Sequence, residues 1–139
     1  MKTLQGRGIV EGRAKGEAVI SIKPFGFFGG VNPGTGIIID KWHELYGESI
    51  KGKVFIYPEG RGSTVGAAII LELARTGFAP AAIVNCSIET ITAGGGVMAK
   101  IFYNVEIPMV DKISREELLA IEKGSIVEVD GNTGKVTVL

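Results

Sequence analysis

Apolar residues fall along this chain in two rhythms, short unbroken runs and helical stripes. Residues 54–57 (Val-Phe-Ile-Tyr) form a run closed by Pro58, which predicts a strand that ends there. From Thr64 the apolar positions Val65, Ala68, Ile69, Leu71 and Ala74 recur at helical spacing, and Gly77 is placed to cap the C-terminus, so residues 64–75 read as a helix. Residues 81–84, short and apolar after Pro80, predict a buried strand. Residues 91–102 read as a second helix, although Gly94, Gly95 and Gly96 each disfavour it by roughly 1 kcal/mol relative to alanine. Residues 108–110 predict another short strand.

Before this middle section, residues 16–22 read as a strand and residues 24–36 as a loop rich in glycine and phenylalanine. The run Ile37-Ile38-Ile39 ends in Asp40, and residues 41–52 form a polar connection that holds the only tryptophan, Trp42, and the only histidine, His43. After it, Ser114-Arg115-Glu116-Glu117 is a capping box: the Ser114 hydroxyl accepts from the Glu117 N–H while the Glu117 carboxylate reaches back, starting a short helix through about Lys123. Residues 125–129 and 135–138 alternate polar and apolar side chains around Asp130-Gly131-Asn132-Thr133-Gly134, the pattern of a hairpin. The chain is thus β-rich at both ends with a strand-helix-strand-helix-strand middle. That order predicts one α/β domain over residues 1–139, with a mixed sheet or two packed sheets and no linker.

At 139 residues and 45% hydrophobic content the chain supplies a core for a single domain. Its 15 basic and 15 acidic residues balance, which argues against nucleic acid or an anionic membrane as partner and favours a small substrate or another protein. Cys86 is the single cysteine, so it makes no internal disulfide and cannot alone hold zinc or an iron-sulfur cluster; any metal chemistry needs another chain. It reads as a small, half-buried residue. No apolar signal core opens the chain and no run approaches the roughly 20 residues of a membrane span, so a cytoplasmic location is expected. Of the 21 glycines, 11 punctuate the chain in three clusters, residues 26–36, 60–66 and 94–96. They mark loops gathered round a ligand or interface, or tight turns of a β-rich fold.

The middle cluster, Gly60-Arg61-Gly62-Ser63-Thr64-Val65-Gly66, falls where a strand hands over to a helix. A serine there faces converging backbone N–H groups and the positive end of a helix dipole, so Ser63 is the leading candidate for chemistry. It is equally an N-cap, and a capping serine also points into an anion site. The segment lacks the lysine and the glycine spacing of a nucleotide phosphate loop, and the dinucleotide fingerprint fails on spacing too. As a hydrolase nucleophile Ser63 would need His43, which sits among Trp42, Glu44 and Tyr46 as a loop or surface histidine does. Arg61 offers a planar guanidinium for a carboxylate or phosphate, or is a solvated loop arginine. Phe25, Phe27, Phe28 and Trp42 either line an apolar pocket or form a subunit contact.

Five segments in order carry a family resemblance: Phe28-Gly29-Gly30-Val31-Asn32-Pro33 with Thr35-Gly36 and Ile39-Asp40; residues 43–54, starting His43-Glu44-Leu45-Tyr46-Gly47; Gly60-Arg61-Gly62-Ser63; Arg75-Thr76-Gly77; and Ala79-Pro80-Ala81-Ala82-Ile83. Together they resemble the swivel-domain subunit of the aconitase X family, from about Gly6 to the C-terminus. The resemblance implies a swivelling β/β/α domain and a large subunit that carries a [4Fe-4S] cluster on its own cysteines, with no cofactor on this chain. It also implies a hydro-lyase that dehydrates a small phosphorylated hydroxy acid, 5-phosphomevalonate, in the archaeal-type mevalonate pathway; a hydroxyproline dehydratase is the alternative.

By the same resemblance Ser63 is similar to the family's proton-abstracting serine, in the loop that aconitases proper write Gly-x-Gly-Ser-Ser-Arg. Gly60, Arg61, Gly62 and Thr64 would form its oxyanion loop, and Gly29, Gly30, Asn32, Asp40 and His43 are possible secondary loop residues. The arginine two places after the serine is Val65 here, so recognition of a substrate carboxylate falls to Arg61, backbone N–H groups or the partner. The cluster would act on the leaving hydroxyl, and Ser63 as alkoxide would take the proton beside the carboxylate. The Gly29–Gly36 loop and the helix start at residues 92–96 are further places for a phosphate. Two other classes stay open: a module that only closes over a catalytic partner, and an independent hydrolase.

Overall fold

The short apolar runs of the middle section are strands buried on both faces. A computed structural model describes residues 1–60, 64–88 and 90–139, with Thr64 described by its backbone alone. The elements run β1 (Lys2–Gln5), β2 (Arg7–Val10), β3 (Arg13–Ile20), β4 (Val54–Ile56), α1 (Thr64–Thr76), β5 (Ala82–Val84), α2 (Thr90–Tyr103), β6 (Met109–Asp111), α3 (Arg115–Leu119), β7 (Ile126–Asp130) and β8 (Lys135–Val138).

Strands β3, β4, β5 and β6 pair in parallel, and α1 and α2 make the crossovers between the last three. Their side chains divide between two cores. Val54, Ile56, Ala82, Val84 and Val110 join Leu4, Val127, Val129 and Val136 inside the sheet, whereas Phe55, Ile83 and Met109 face Ile70, Leu73 and Ala99 of the helices. Burial on both faces is why β4, β5 and β6 lack the polar alternation seen in β7.

The eight strands form one sheet in the order β1-β8-β7-β3-β4-β5-β6-β2. Its two outermost strands follow each other in the chain, joined at Gly6, so the sheet curls into a nearly closed barrel with the helices on one outer face. β3 makes the turn: residues 13–17 pair antiparallel with β7, and Ala18 to Ile20 pair parallel with β4. At the seam a Cβ on Gly8 would overlap the Gly131 carbonyl, and one on Gly131 the Val10 carbonyl. These layers, two of sheet and one of helix, are the expected β/β/α arrangement.

Several boundaries differ from the sequence reading. β3 occupies residues 13–20 rather than 16–22, because Ile22 turns out to solvent and is 50% exposed. Residues 37–40 make only single bridges, Val31 with Ile38 and Ile37 with Ser49, so that run is a loop with Ile38 buried. The glycines of α2 do not break it: Gly95 lies where a Cβ would come within 3.2 Å of the Ala67 carbonyl oxygen and Ile70 Cβ, and its bareness lets α1 and α2 approach. The capping box is half formed. Ser114 Oγ accepts from Glu117 N–H at 3.1 Å, but the carboxylate takes its hydrogen bond from the Ser114 hydroxyl, and α3 stops at Leu119.

Candidate functional site

Parallel strands place their following loops at one end of the sheet, the usual binding edge of α/β folds. Here the pairing continues past β4. Tyr57 N–H donates to the Val84 carbonyl at 3.2 Å, Cys86 N–H to Pro58 at 2.9 Å and Phe25 N–H to Glu59 at 3.0 Å. Single bridges tie Glu59 to Ser87 and Gly60 to Phe25, so the chain is clamped on both sides up to Gly60. α1 begins at Thr64, and α2 begins at Thr90 beyond the neighbouring strand. Neither helix has an acidic residue in its first turn, which leaves two positive dipole ends at this edge unneutralised by their own helix. Arg61, Gly62, Ser63 and the Thr64 side chain lie outside the described residues; the described chain fixes both ends of the segment that holds them.

His43 is not a surface histidine. It is 7% exposed, and Leu45 N–H donates to its Nδ1 at 3.0 Å, which puts the proton of the neutral ring on Nε2. That nitrogen then donates to Ser21 Oγ at 2.9 Å. Ser21 Oγ in turn accepts from Lys23 N–H and donates to the Lys23 carbonyl, at 3.1 Å and 2.7 Å. Both ring nitrogens are occupied in holding the end of β3, so His43 has no free lone pair with which to serve Ser63 as a base. The hydrolase reading loses its only histidine.

Other residues singled out from the sequence disperse. Phe25 and Phe27 are 2% and 3% exposed and pack edge-on with each other and with Phe55, forming core rather than pocket or interface. Gly30 is what admits the Phe25 ring, which would stand 2.7 Å from a Cβ there. Phe28 and Trp42, by contrast, are 65% and 90% exposed. Gly29 takes φ +78° in a solvent-facing turn. Asp40 accepts from Trp42 N–H at 3.0 Å and stiffens the turn that leads into His43. Asn32 closes a turn by accepting from Gly34 N–H at 2.8 Å, and its neighbour Pro33 accepts from Thr76 Oγ1 at 2.7 Å. Asn32 therefore lies at the C-terminal end of α1, a helix about 20 Å long at ~1.5 Å per residue, away from the start of that helix.

The edge carries groups that sequence reasoning passed over. Asp111, fully buried at the end of β6, receives a two-pronged ion pair from Arg7 (Nε to Oδ1 3.0 Å, Nη2 to Oδ2 2.9 Å) and a 3.2 Å bond from Ile88 N–H. That carboxylate raises the Arg7 pKa and pins the loop into α2. Arg115 Nη2 donates to the Ile22 carbonyl at 2.7 Å, and the guanidinium lies close enough to Cys86 to act on its ionisation. Burial still prevails there and pushes the Cys86 thiol up, with Glu59 adding to it. Cys86 is partly buried, as its sequence context implied. Asn85, one place before it, is wholly buried and its carboxamide has no hydrogen-bond partner among the described residues. No signal in the sequence distinguishes Asn85 from any polar residue at a strand end.

Among the described residues no three His, Cys, Asp or Glu side chains form a metal-holding group, and no helix is long and apolar enough to cross a membrane.

A family model for the aconitase X swivel domain matches residues 3–138. The phosphomevalonate dehydratase small subunit of Methanocaldococcus jannaschii is 48% identical over 136 residues, covering 98% of this chain and 97% of that protein. The protein of the same name from Methanocella arvoryzae is 44% identical over 131 residues, 94% of this chain and 95% of its own. In three dimensions the chain is similar to the crystal structure of Thermococcus kodakaraensis aconitase X in its holo-form, with a TM-score of 0.90 and 40% identity over 100% of this chain and 99% of that one.

Proposed function

Because the chain belongs to the aconitase X swivel-domain family, we propose that it is the small subunit of a phosphomevalonate dehydratase, a single swivel domain that supplies Ser63 as the base for dehydrating (R)-5-phosphomevalonate to trans-anhydromevalonate 5-phosphate. One observation carries the reading: identity of 44% to 48% along nearly the whole length of proteins bearing that name. The partner is a large subunit. With one cysteine in the sequence and no metal-holding group among its described residues, this chain does not fit an iron-sulfur cluster, so a [4Fe-4S] cluster is assigned to the partner.

The work left to this chain is binding and proton transfer. Dehydration of a 3-hydroxy acid removes a proton from the carbon beside the carboxylate while the hydroxyl on the next carbon leaves as water. Ser63, deprotonated, takes that proton. Its charge is favoured by the amides and the dipole at the start of α1, and positioned base catalysis of this kind is worth roughly 10² to 10⁴ in rate. The carboxylate and phosphate of the substrate suit an edge with two helix N-termini whose first turns carry no acidic residue, and Arg61 is the flanking cation.

Co-purification with the large subunit without oxygen, followed by assay on (R)-5-phosphomevalonate and on hydroxyproline, tests the proposal. Turnover of the phosphorylated acid is expected, and turnover of hydroxyproline alone would overturn the substrate. Ser63→Ala is expected to assemble normally and lose at least ~100-fold in kcat. Near-normal turnover by that variant removes Ser63 from the mechanism.

A further inference from the structure

We propose that Arg7 receives the phosphate of the substrate and that Asp111 holds it in position to do so, an assignment that rests on the reading of the chain as a phosphomevalonate dehydratase subunit. Arg7 gives two of its five N–H donors to Asp111, Nε to Oδ1 at 3.0 Å and Nη2 to Oδ2 at 2.9 Å. A carboxylate on that side of the guanidinium leaves Nη1 and the second N–H of Nη2 pointing away from it, and no described residue accepts from Nη1. The Arg7 side chain is 57% exposed and that of Asp111 is 1% exposed. A buried carboxylate thus fixes the plane of a cation whose outer end is open to solvent, the geometry in which a guanidinium takes a phosphate by two parallel hydrogen bonds.

The pair stands at the binding edge. Met109 packs in the helix-side core and Val110 in the barrel interior, so Asp111, next in the alternation, faces the helices, and Arg7, its register partner, shares that face. Ile88 N–H donates to the same Oδ2 at 3.2 Å, which sets the pair against the loop that leads into α2. The first turn of α2 carries no acidic residue, so the helix dipole adds to the attraction for an anion there. On the adjacent strand Asn85, whose N–H donates to the Val110 carbonyl, is fully buried with its carboxamide unpartnered among the described residues. An amide buried in that way is unfavourable for stability, and it marks this row of the sheet as shaped by something besides the fold. The substrate's carboxylate adjoins the carbon that loses its proton, whereas its phosphate is at the other end of the molecule. The chain that reaches Gly60 leaves β4, and the guanidinium rests on β6, two strands or roughly 10 Å across the sheet. A separation of that size suits the far end of an extended phosphorylated acid.

The test is Arg7→Gln in the reconstituted two-subunit enzyme, with turnover measured on (R)-5-phosphomevalonate and with (R)-mevalonate, which lacks the phosphate, measured as a competitive inhibitor. The KM for the phosphorylated acid is expected to rise roughly 10- to 100-fold. Its kcat should stay within about threefold, as for a contact made equally in the ground and transition states, and the inhibition constant of mevalonate within about twofold. A residue needed only for folding would not separate the two ligands. A KM within about twofold of wild type overturns the inference. So does equal weakening of both ligands, which would make Arg7 a support of the fold or a contact of the carboxylate. A glutamine variant that does not assemble leaves Arg7→Lys, which keeps a cation on Asp111 but loses the fork, to decide by the same comparison. If the wild-type pair does not turn over (R)-5-phosphomevalonate, the substrate assignment itself fails; if it does and Arg7→Gln is normal, only the role of Arg7 fails.

Discussion

His43 spends both ring nitrogens on structure, accepting from Leu45 N–H and donating to Ser21. Replacing it with alanine strands a buried amide and a hydroxyl and is expected to lower stability by about 1–3 kcal/mol. Turnover per folded complex should stay near wild type, since both ring nitrogens are engaged in hydrogen bonds that hold the end of β3. Urea denaturation of the free subunit alongside kcat of the assembled enzyme checks both halves, and a kcat loss without a stability loss would restore His43 as a chemical participant. A sequence signal for its burial did exist: Trp42, Glu44 and Tyr46 are exposed while His43 and Leu45 are buried, an alternation that the polar composition of the segment conceals. The role proposed for Ser63 rests on the sequence alone, a serine after Gly62 where the chain passes from β4 to α1. The complete burial of Asn85 was illegible, since it follows from pairing with β6, whose Val110 carbonyl takes its N–H, and not from its own neighbours in the chain.

Within α2 the neighbouring glycines have opposite roles. A Cβ at Gly94 would meet nothing within 4 Å, whereas one at Gly95 would crowd the Ala67 carbonyl and Ile70 at 3.2 Å. Gly94→Ala is therefore expected to stabilise the subunit by about 0.5–1 kcal/mol through helix propensity. Gly95→Ala should gain nothing or lose stability as α1 and α2 are pushed apart. Equal urea midpoints for the two variants would contradict that packing. Propensity alone suggested that these glycines weaken the helix, and it could not say which of them α1 requires. The strands divide by the same logic. β4 and β5, buried on both faces, announce themselves as apolar runs, but β1 and β2 each bury a single residue, Leu4 and Val10, and leave no periodic trace. Those two strands exist through pairing with β8 and β6, far away in the sequence.

At the scale of the whole molecule the near-closed sheet has a chemical end and a structural end. β2 runs antiparallel to β6, so Arg7 pairs with Asp111 at the end where the loops into α1 and α2 gather, and Val10 pairs with Met109 at the opposite end. The seam between Val10 and Gly131 belongs to that opposite end and joins the first strands to the C-terminal hairpin. Gly131 is buried there, with its N–H donating to the Gly12 carbonyl at 2.8 Å, and any Cβ would run into the backbone carbonyl of Val10. Backbone yields less readily than the tip of a side chain, so Gly131→Ala must either shift β2 or open the hairpin. The expected cost is about 1–3 kcal/mol, seen as a lower denaturation midpoint of the free subunit. Dehydratase activity of the variant that does fold should survive, because the strand ends beside Gly60 and Asn85 are fastened separately through Asp111, Phe25 and Ser87. An unchanged midpoint would mean that the seam is not shut in solution; lost activity at an unchanged midpoint would mean that the two ends of the sheet are coupled and that the closing strand helps to set the serine-bearing turn.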